Sequence, residues 1–249
     1  MSSSTGNIIA IASGKGGVGK TWLSITLAHL IARTGRKVLL FDGDIGLANV
    51  DVQLGLTPKH DLSEVFYGNA TLKDVITRCD AGFDIIAGRS GSGNLASLPA
   101  AKLAALREQL AGLSQSYDFL FIDLGAGVEE HVRALAGTAT RCIVVVTDEP
   151  TSLTDAYAFI KLFTAGGATM DIGIVINQSA TLKEGQKTYA SLNKACVNFL
   201  KFSPACLGII RKDGKVKDAI RNQASLVTRA PNCTAASDAA TITIKLMQK

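Results

Sequence analysis

The chain has 249 residues, of which 47% are hydrophobic and 19% are charged, and its Lys and Arg exceed its Asp and Glu by five. This composition excludes a disordered chain, which would be poorer in apolar residues, and the apolar runs are far shorter than the ~20 residues of a membrane span. The net charge of +5 permits a weak attraction to nucleic acid or anionic lipid without implying either.

Apolar runs of strand length alternate along the chain with amphipathic segments of helix length. The predicted strands cover residues 7–12, 37–42, 83–87, 119–123, 141–147, 171–177 and 205–210. The predicted helices cover residues 20–34, 99–114, 130–138, 152–163, 182–199 and 235–249. Most of the strands are continuous apolar blocks, as in parallel strands covered by helices on both faces. The alternation predicts a single α/β domain over residues 1–249 with one doubly wound, mostly parallel sheet, and a flexible loop at 88–93 that is too short to divide it.

A glycine-rich loop follows the first predicted strand and precedes the first predicted helix. Gly14 to Thr21 match the pattern G-x-x-x-x-G-K-[ST] at every fixed position. Glycines let successive backbone N–H groups converge on an anion, and the helix adds its positive end. We expect Lys20 to reach the β- and γ-phosphates and the Thr21 hydroxyl to bind Mg²⁺. The predicted nucleotide contacts are Gly14, Lys15, Gly16, Gly17, Val18, Gly19, Lys20, Thr21 and Trp22, and for Trp22 core packing is the alternative.

Acidic residues end the second and fourth predicted strands. Asp42 and Asp44 follow the second strand, and Asp123 follows four apolar residues at the end of the fourth. Because ligands bind at the carboxyl ends of strands in such sheets, these carboxylates are expected beside the glycine-rich loop. Asp123 reads as a Walker B carboxylate that holds Mg²⁺, and the N–H of Gly125 can approach the γ-phosphate.

The second lysine of the loop is the most specific sequence feature. The pattern K-G-G-x-G-K-T, from Lys15 to Thr21, resembles the deviant Walker A motif of the MinD/ParA ATPases, although a solvated Lys15 is the alternative. This resemblance implies an ATP- and Mg²⁺-dependent homodimer in which Lys15 reaches the phosphates of the partner. It also implies that Asp44 orients the attacking water, with Asp42 as the supporting acid, and that Thr21, Asp44 and Asp123 surround the metal.

Three further segments resemble the flagellar-number-regulating group of this family, the FlhG/FleN ATPases. They are residues 44–58, 123–127 and 148–162. The resemblance implies regulation of flagellar number or placement through partners such as a flagellar GTPase, a transcription regulator or basal-body proteins. In this resemblance, Asn177 matches the position that usually contacts the base. Arg211 stands where the family often has proline, in the loop that lines the adenine. Glu149 is also expected to contact the nucleotide. The expected location is the cytoplasm, with recruitment to a cell pole or membrane by partners left open.

The chain departs from this pattern at three places. Leu124 replaces the usual threonine after the Walker B aspartate, which removes one hydroxyl hydrogen bond. Only a short segment precedes the first strand, so stimulation of a partner GTPase is not expected. The apolar residues of the tail, Ile242, Ile244 and Leu246, lie at a spacing of two and make a poor amphipathic face. The tail is therefore predicted to be a packing helix, with membrane binding weak or absent.

The remaining features leave two alternatives open. The basic stretch 211–221 is a solvated face or a surface for nonspecific DNA, and the latter would suit a ParA-like DNA-associated positioning ATPase. Leu124 and Arg211 would suit a nucleotide-dependent binding module with vestigial hydrolysis. The histidines, His29, His60 and His131, lack metal-ligand spacing and are assigned no chemistry. Five scattered cysteines without CxxC spacing predict reduced thiols in a cytoplasmic protein.

Overall fold

A computed structural model describes residues 8–44, 46–88, 99–165 and 170–248. The strands are β1 (Ile8–Ser13), β2 (Val38–Gly43), β3 (Ile76–Arg78), β4 (Asp84–Ile86), β5 (Phe119–Ala126), β6 (Arg141–Val146), β7 (Asp171–Ser179) and β8 (Ala205–Arg211). The first helices are α1 (Lys20–Ala32), α2 (Val50–Leu54), α3 (Leu62–Phe66), α4 (Ala100–Ser114) and α5 (Glu130–Ala136). The later ones are α6 (Pro150–Ala165), α7 (Leu182–Ala195), α8 (Gly214–Arg221), α9 (Leu226–Arg229) and α10 (Thr234–Met247).

The described strands form one sheet in the order β3-β4-β2-β5-β1-β6-β7-β8. All neighbouring pairs are parallel except β3 and β4, which confirms the prediction of a mostly parallel sheet. Register places Asp42 of β2 beside Asp123 of β5, and Ile11 of β1 on the other side of Asp123. The carboxyl ends of β1, β2 and β5 therefore meet at one edge.

Two hydrophobic layers cover the sheet because successive strand residues point to opposite faces. In β1, Ile8, Ala10 and Ala12 enter one layer, which is completed by α4, α5, α6 and α7. Ile9 and Ile11 enter the other, which is completed by α1, α8, α9 and α10. This is the doubly wound arrangement that the sequence predicts.

The structure corrects several predicted boundaries. The sequence does not predict strand β3 or the short helices α2, α3, α8 and α9, because three to eight residues carry too little periodicity to detect. Helix α7 ends at Ala195 rather than at the predicted residue 199, and a π-helical turn, Cys196–Leu200, follows it. Residues 89–93 of the predicted loop, residue 7 of the first predicted strand and residue 249 of the last predicted helix lie outside the described residues.

The tail is a packing helix, as predicted. Helix α10 packs against β8 and α1, with Ile242 and Leu246 buried and Ile244 half exposed. All five cysteines are unpaired. Within the described ranges, no helix is long and apolar enough to cross a membrane.

Candidate nucleotide-binding site

A cavity of about 1090 Å³ lies at the edge where β1, β2 and β5 end. Its lining combines the glycine-rich loop, the segment after β2 and the segment after β5. The lining residues are Gly16, Gly17, Gly19, Lys20, Thr21, Trp22, Asp44, Gly46, Leu47, Asn49, Gln53, Leu103, Gly125, Ala126, Glu129, Glu130, His131 and Ile220. The structure thus brings the predicted phosphate loop together with Asp44 and Gly125.

Both the backbone conformation and the close packing of the loop require glycine. Gly17 and Gly19 have φ values of 77° and 92°, in the left-handed region that glycine adopts without strain. A Cβ at Gly19 would also lie 2.5 Å from the Asn177 amide nitrogen. A Cβ at Gly14 would lie 2.5 Å from the Cβ of Asp155, and closer still to the backbone of that residue in α6. The loop is therefore folded tightly against β7 and α6.

Lys20 is buried inside the loop, where its ammonium can serve a bound phosphate. Only 8% of the residue is exposed, and its Nζ donates to the Ser13 hydroxyl at 2.8 Å. Burial lowers the pKa of Lys20, while the carboxylates of Asp123 and Asp44 oppose that shift. The Lys20 ammonium has lost most of its hydrating water, and the nearby carboxylates offset this loss only in part. Such a charge binds anionic phosphate oxygens strongly.

The carboxyl groups beneath the loop are crowded and poorly hydrated. Burial and the neighbouring Asp123 raise the pKa of Asp42 to about 8, although three backbone N–H groups donate to its carboxylate. Those donors are the amides of Asp44, Asn49 and Val50, at 3.2, 2.9 and 3.0 Å. Asp42 therefore holds the segment after β2 in place, as expected of a supporting acid.

Asp123 and Thr21 provide a set of oxygen atoms that fits Mg²⁺. Burial raises the pKa of Asp123 to about 6, against the hydrogen bonds from Thr21 and Ser24 and the charge of Lys20. Burial disfavours the charged form of this carboxyl group, and a bound cation would favour it. Among the described residues, no group of three or more His, Cys, Asp or Glu side chains is arranged to hold a metal ion by itself. Mg²⁺ would accordingly rely on nucleotide phosphates and water as well as on these side chains, as it commonly does.

Asp44 lies at the mouth of the cavity, where its carboxylate is half-buried. Burial raises its pKa, and the charges of Lys20 and His131 lower it. A Cβ at Gly125 would be 3.1 Å from its Oδ1, so the carboxylate rests directly on the segment that follows the Walker B strand. This places Asp44 between Lys20 and the Gly125 backbone.

Lys15 has surroundings quite different from those of Lys20. Its Nζ forms an ion pair with the Glu149 carboxylate and donates to the Thr151 hydroxyl at 3.1 Å. Both partners lie at the start of α6, and Lys15 is not part of the cavity lining. The structure therefore places Glu149 beside Lys15 rather than in the cavity.

Four other predicted nucleotide contacts also lie outside the lining, namely Gly14, Val18, Asn177 and Arg211. The Asn177 amide donates to the Val18 carbonyl at 2.8 Å, so both residues support the loop from behind. The Arg211 guanidinium is held by Asp238 of α10 through bonds of 3.0 and 2.7 Å. Contact of these residues with the nucleotide stays a prediction.

The cavity also contains residues that the sequence did not single out for the site. Asn49, Gln53, Leu103, Glu129, Ile220 and His131 line it, and His131 had been assigned no chemistry. The useful signal for His131 was its place soon after the glycines that follow Asp123. Trp22 is only 5% exposed, which confirms that it packs in the core. It also lines the cavity, and its contact with a nucleotide stays a prediction.

Comparisons with known proteins agree on one family. Residues 9–226 match the family described as the CobQ/CobB/MinD/ParA nucleotide binding domain. The chain is 37% identical over 228 residues to the antiactivator FleN of Pseudomonas aeruginosa, an alignment of 92% of this chain and 81% of FleN. It is 34% identical over 225 residues to the flagellum site-determining protein YlxH of Helicobacter pylori, covering 90% and 76% of the two chains. The septum site-determining protein MinD of Pyrococcus horikoshii, complexed with Mg-ADP, has the same fold, with a TM-score of 0.81, 24% identity and coverage of 96% and 95%.

Proposed function

The chain belongs to the CobQ/CobB/MinD/ParA nucleotide-binding family, and we propose that it is an ATPase switch that regulates the number or placement of flagella. In this proposal Mg·ATP promotes a homodimer, hydrolysis returns monomers, and partner proteins respond to the nucleotide state. The flagellar role is supported by the similarity to the antiactivator FleN and to the site-determining protein YlxH.

The different placement of the two loop lysines is the observation that carries the proposal. Lys20 is buried against Ser13 and serves the nucleotide of its own chain. Lys15 is outside the cavity, is one-third exposed and is held only by surface groups of α6. A lysine in that position has no phosphate of its own chain to bind, and it is free to exchange Glu149 for a phosphate presented by a second copy.

The surface around the cavity supports dimerisation. Four apolar side chains that line the cavity or adjoin a lining residue in sequence are more than one-third exposed, namely Leu47, Val52, Val128 and Ile220. Two of them, Leu47 and Ile220, line the cavity itself. Exposed apolar residues gathered around a ligand site are typical of a surface that another chain covers.

The geometry also supports hydrolysis. Bound Mg²⁺, near Thr21, Asp44 and Asp123, would neutralise charge on the phosphates. Lys20 binds the β- and γ-phosphates, and Asp44 orients the attacking water at the mouth of the cavity. Positioning and electrostatic stabilisation provide most of the catalysis in phosphoryl transfer, so this arrangement requires no covalent contribution from the protein.

The biochemical test is steady-state phosphate release from ATP by the purified protein, with Lys20→Ala as the inactive control. Slow turnover that Lys20→Ala abolishes supports the ATPase. Tight ATP binding without turnover would instead favour the nucleotide-dependent binding module.

The cellular test is to count flagella by electron microscopy in the source organism. The compared strains carry the parental gene, a deletion, or the Lys20→Ala allele. The proposal expects the deletion and the Lys20→Ala allele to change flagellar number or position alike. Unchanged flagella in both strains would contradict the flagellar role and leave the ATPase untouched.

A further inference from the structure

His131 lines the cavity on the side of Asp44, whose carboxylate interacts with the charges of both Lys20 and His131. It is the second residue of α5, and it lines the cavity together with Asp44 and Gly125. Trp22, Gln53 and Ile220 line the cavity from the opposite layer of helices. A γ-phosphate held between Lys20 and Asp44, as proposed above, would therefore lie near His131.

The start of α5 is fixed against the same backbone that supports Asp44. Val132, the residue after His131, is completely buried. A Cβ at Gly125 would be 3.8 Å from a Val132 methyl group and 3.1 Å from Asp44 Oδ1. His131 and Asp44 are thus placed relative to one another by contacts with a single glycine, and His131 does not depend on a loose surface loop.

The imidazole of His131 interacts with the Asp44 carboxylate through charge but is not committed to a hydrogen bond among the described residues. His29 hydrogen-bonds to Ser225 at 2.7 Å, and His60 to Glu64 at 3.0 Å. The His131 ring, by contrast, has no hydrogen bond to any residue within the described part of the chain. Leu124, which follows Asp123, is completely buried and offers no donor to the cavity.

We infer that His131 is a further catalytic residue, whose imidazole N–H donates a hydrogen bond to an oxygen atom at the γ-phosphate end of the bound nucleotide. That oxygen belongs either to the γ-phosphate or to the attacking water. In the reaction the water oxygen bonds to the γ-phosphorus, the bond to the β–γ bridging oxygen breaks, and its electron pair stays with ADP. Protons from water pass to the released phosphate and solvent, so His131 stabilises charge and keeps its own proton. The charged groups around it are Asp44, Lys20, Glu129 and Glu130.

This inference rests on the proposed ATPase, and its test compares His131→Ala and His131→Gln with the parent. The matched control is His60→Ala, whose histidine lies on the surface beside Glu64. Turnover, the Michaelis constant, affinities for ADP and the non-hydrolysable analogue AMPPNP, and the AMPPNP-dependent dimer are measured for each variant. Thermal unfolding of every variant checks that the fold is intact.

We expect His131→Ala to lower turnover about 100- to 1000-fold, as loss of one preorganised donor to the transition state does. Its ADP affinity and its dimer should match the parent, because ADP has no γ-phosphate. His131→Gln, which keeps an N–H donor, should recover part of the turnover. A weaker AMPPNP affinity would identify the γ-phosphate as the acceptor, and an unchanged one would identify the water.

Parental turnover in His131→Ala would overturn the inference. So would a loss of turnover that follows from weaker ADP binding or a missing dimer, because His131 would then act in binding or at the interface. If the parent itself released no phosphate, the proposed function would fail instead. That outcome is distinct from parental turnover in His131→Ala, which would overturn the inference alone.

Discussion

Replacing Gly14 with alanine should destabilise the protein, whereas the same change at Gly16 should not. A Cβ at position 14 would be 2.5 Å from the Asp155 Cβ, whereas ordinary contacts begin at 3.4 Å, so the start of α6 would have to withdraw by about 0.9 Å. Overpacking of this size costs about 1–3 kcal/mol of unfolding free energy. For a chain of this length that corresponds to about 2–12 °C in melting temperature. At Gly16 the nearest atom would be 4.0 Å away, so alanine fits there.

The assay is urea and thermal unfolding of both variants, followed by circular dichroism. Because the start of α6 carries Glu149 and Thr151, Gly14→Ala should also displace Lys15 and weaken the ATP-dependent dimer. If Gly14→Ala unfolded like Gly16→Ala and dimerised like the parent, the packing of the loop against α6 would not have the role described above.

Further predictions concern the two lysines, a buried histidine and the tail. Lys20→Ala should abolish nucleotide binding, as measured by calorimetry. Lys15→Ala should bind nucleotide but lose the ATP-dependent dimer, as measured by light scattering. If both variants bound ATP and dimerised like the parent, the separate roles of the two lysines would be contradicted. Burial and Arg33 lower the pKa of His29 below 6.5, so its contribution to stability is complete above that pH and declines as the pH falls through the folded value. Urea unfolding between pH 5 and 7 should show a smaller decline in His29→Gln, and equal pH dependence would contradict this account. Because Ile242 and Leu246 are buried in α10, little protein should sediment with anionic liposomes even with ATP, and strong ATP-dependent sedimentation would show that the tail leaves the domain.

The phosphate loop and the strand ends could be predicted because their signals are local. The glycines, Lys20 and Thr21 lie in one short segment between a strand and a helix, and continuous apolar blocks identify the strands on either side. Asp44 directly follows β2, and Asp123 lies in β5 beside the end of β2. Parallel pairing then brings them together without any further information.

The contacts of Lys15 and Arg211 could not be predicted because their partners are remote in sequence. Glu149 is 134 residues from Lys15, and Asp238 is 27 residues from Arg211. Charge pairs of this kind leave no periodic pattern. The spacing of apolar residues in the tail likewise does not reveal which side chains are buried. In α10, Ile244 points outward while Ile242 and Leu246 face the core.

The role inferred for His131 does not follow from the sequence, for a different reason. A single imidazole at the start of a short helix has no metal-ligand spacing, so no local pattern points to it. Its importance depends on the packing of α5 beneath Gly125, which only the structure shows. In general, residues that line a cavity from several different elements are the hardest part of a site to predict from a sequence.

The central claim, that ATP forms a dimer which hydrolysis takes apart, is tested most directly by the mass of the Asp44→Ala protein in excess ATP. Size-exclusion chromatography with light scattering, combined with phosphate release, gives both quantities from one sample. Loss of the carboxylate that orients water should leave the loop, Lys20 and Lys15 intact, so we expect a lasting dimer with much slower phosphate release than the parent. An Asp44→Ala protein that stays monomeric in ATP, or that hydrolyses ATP at the parental rate, would contradict the claim.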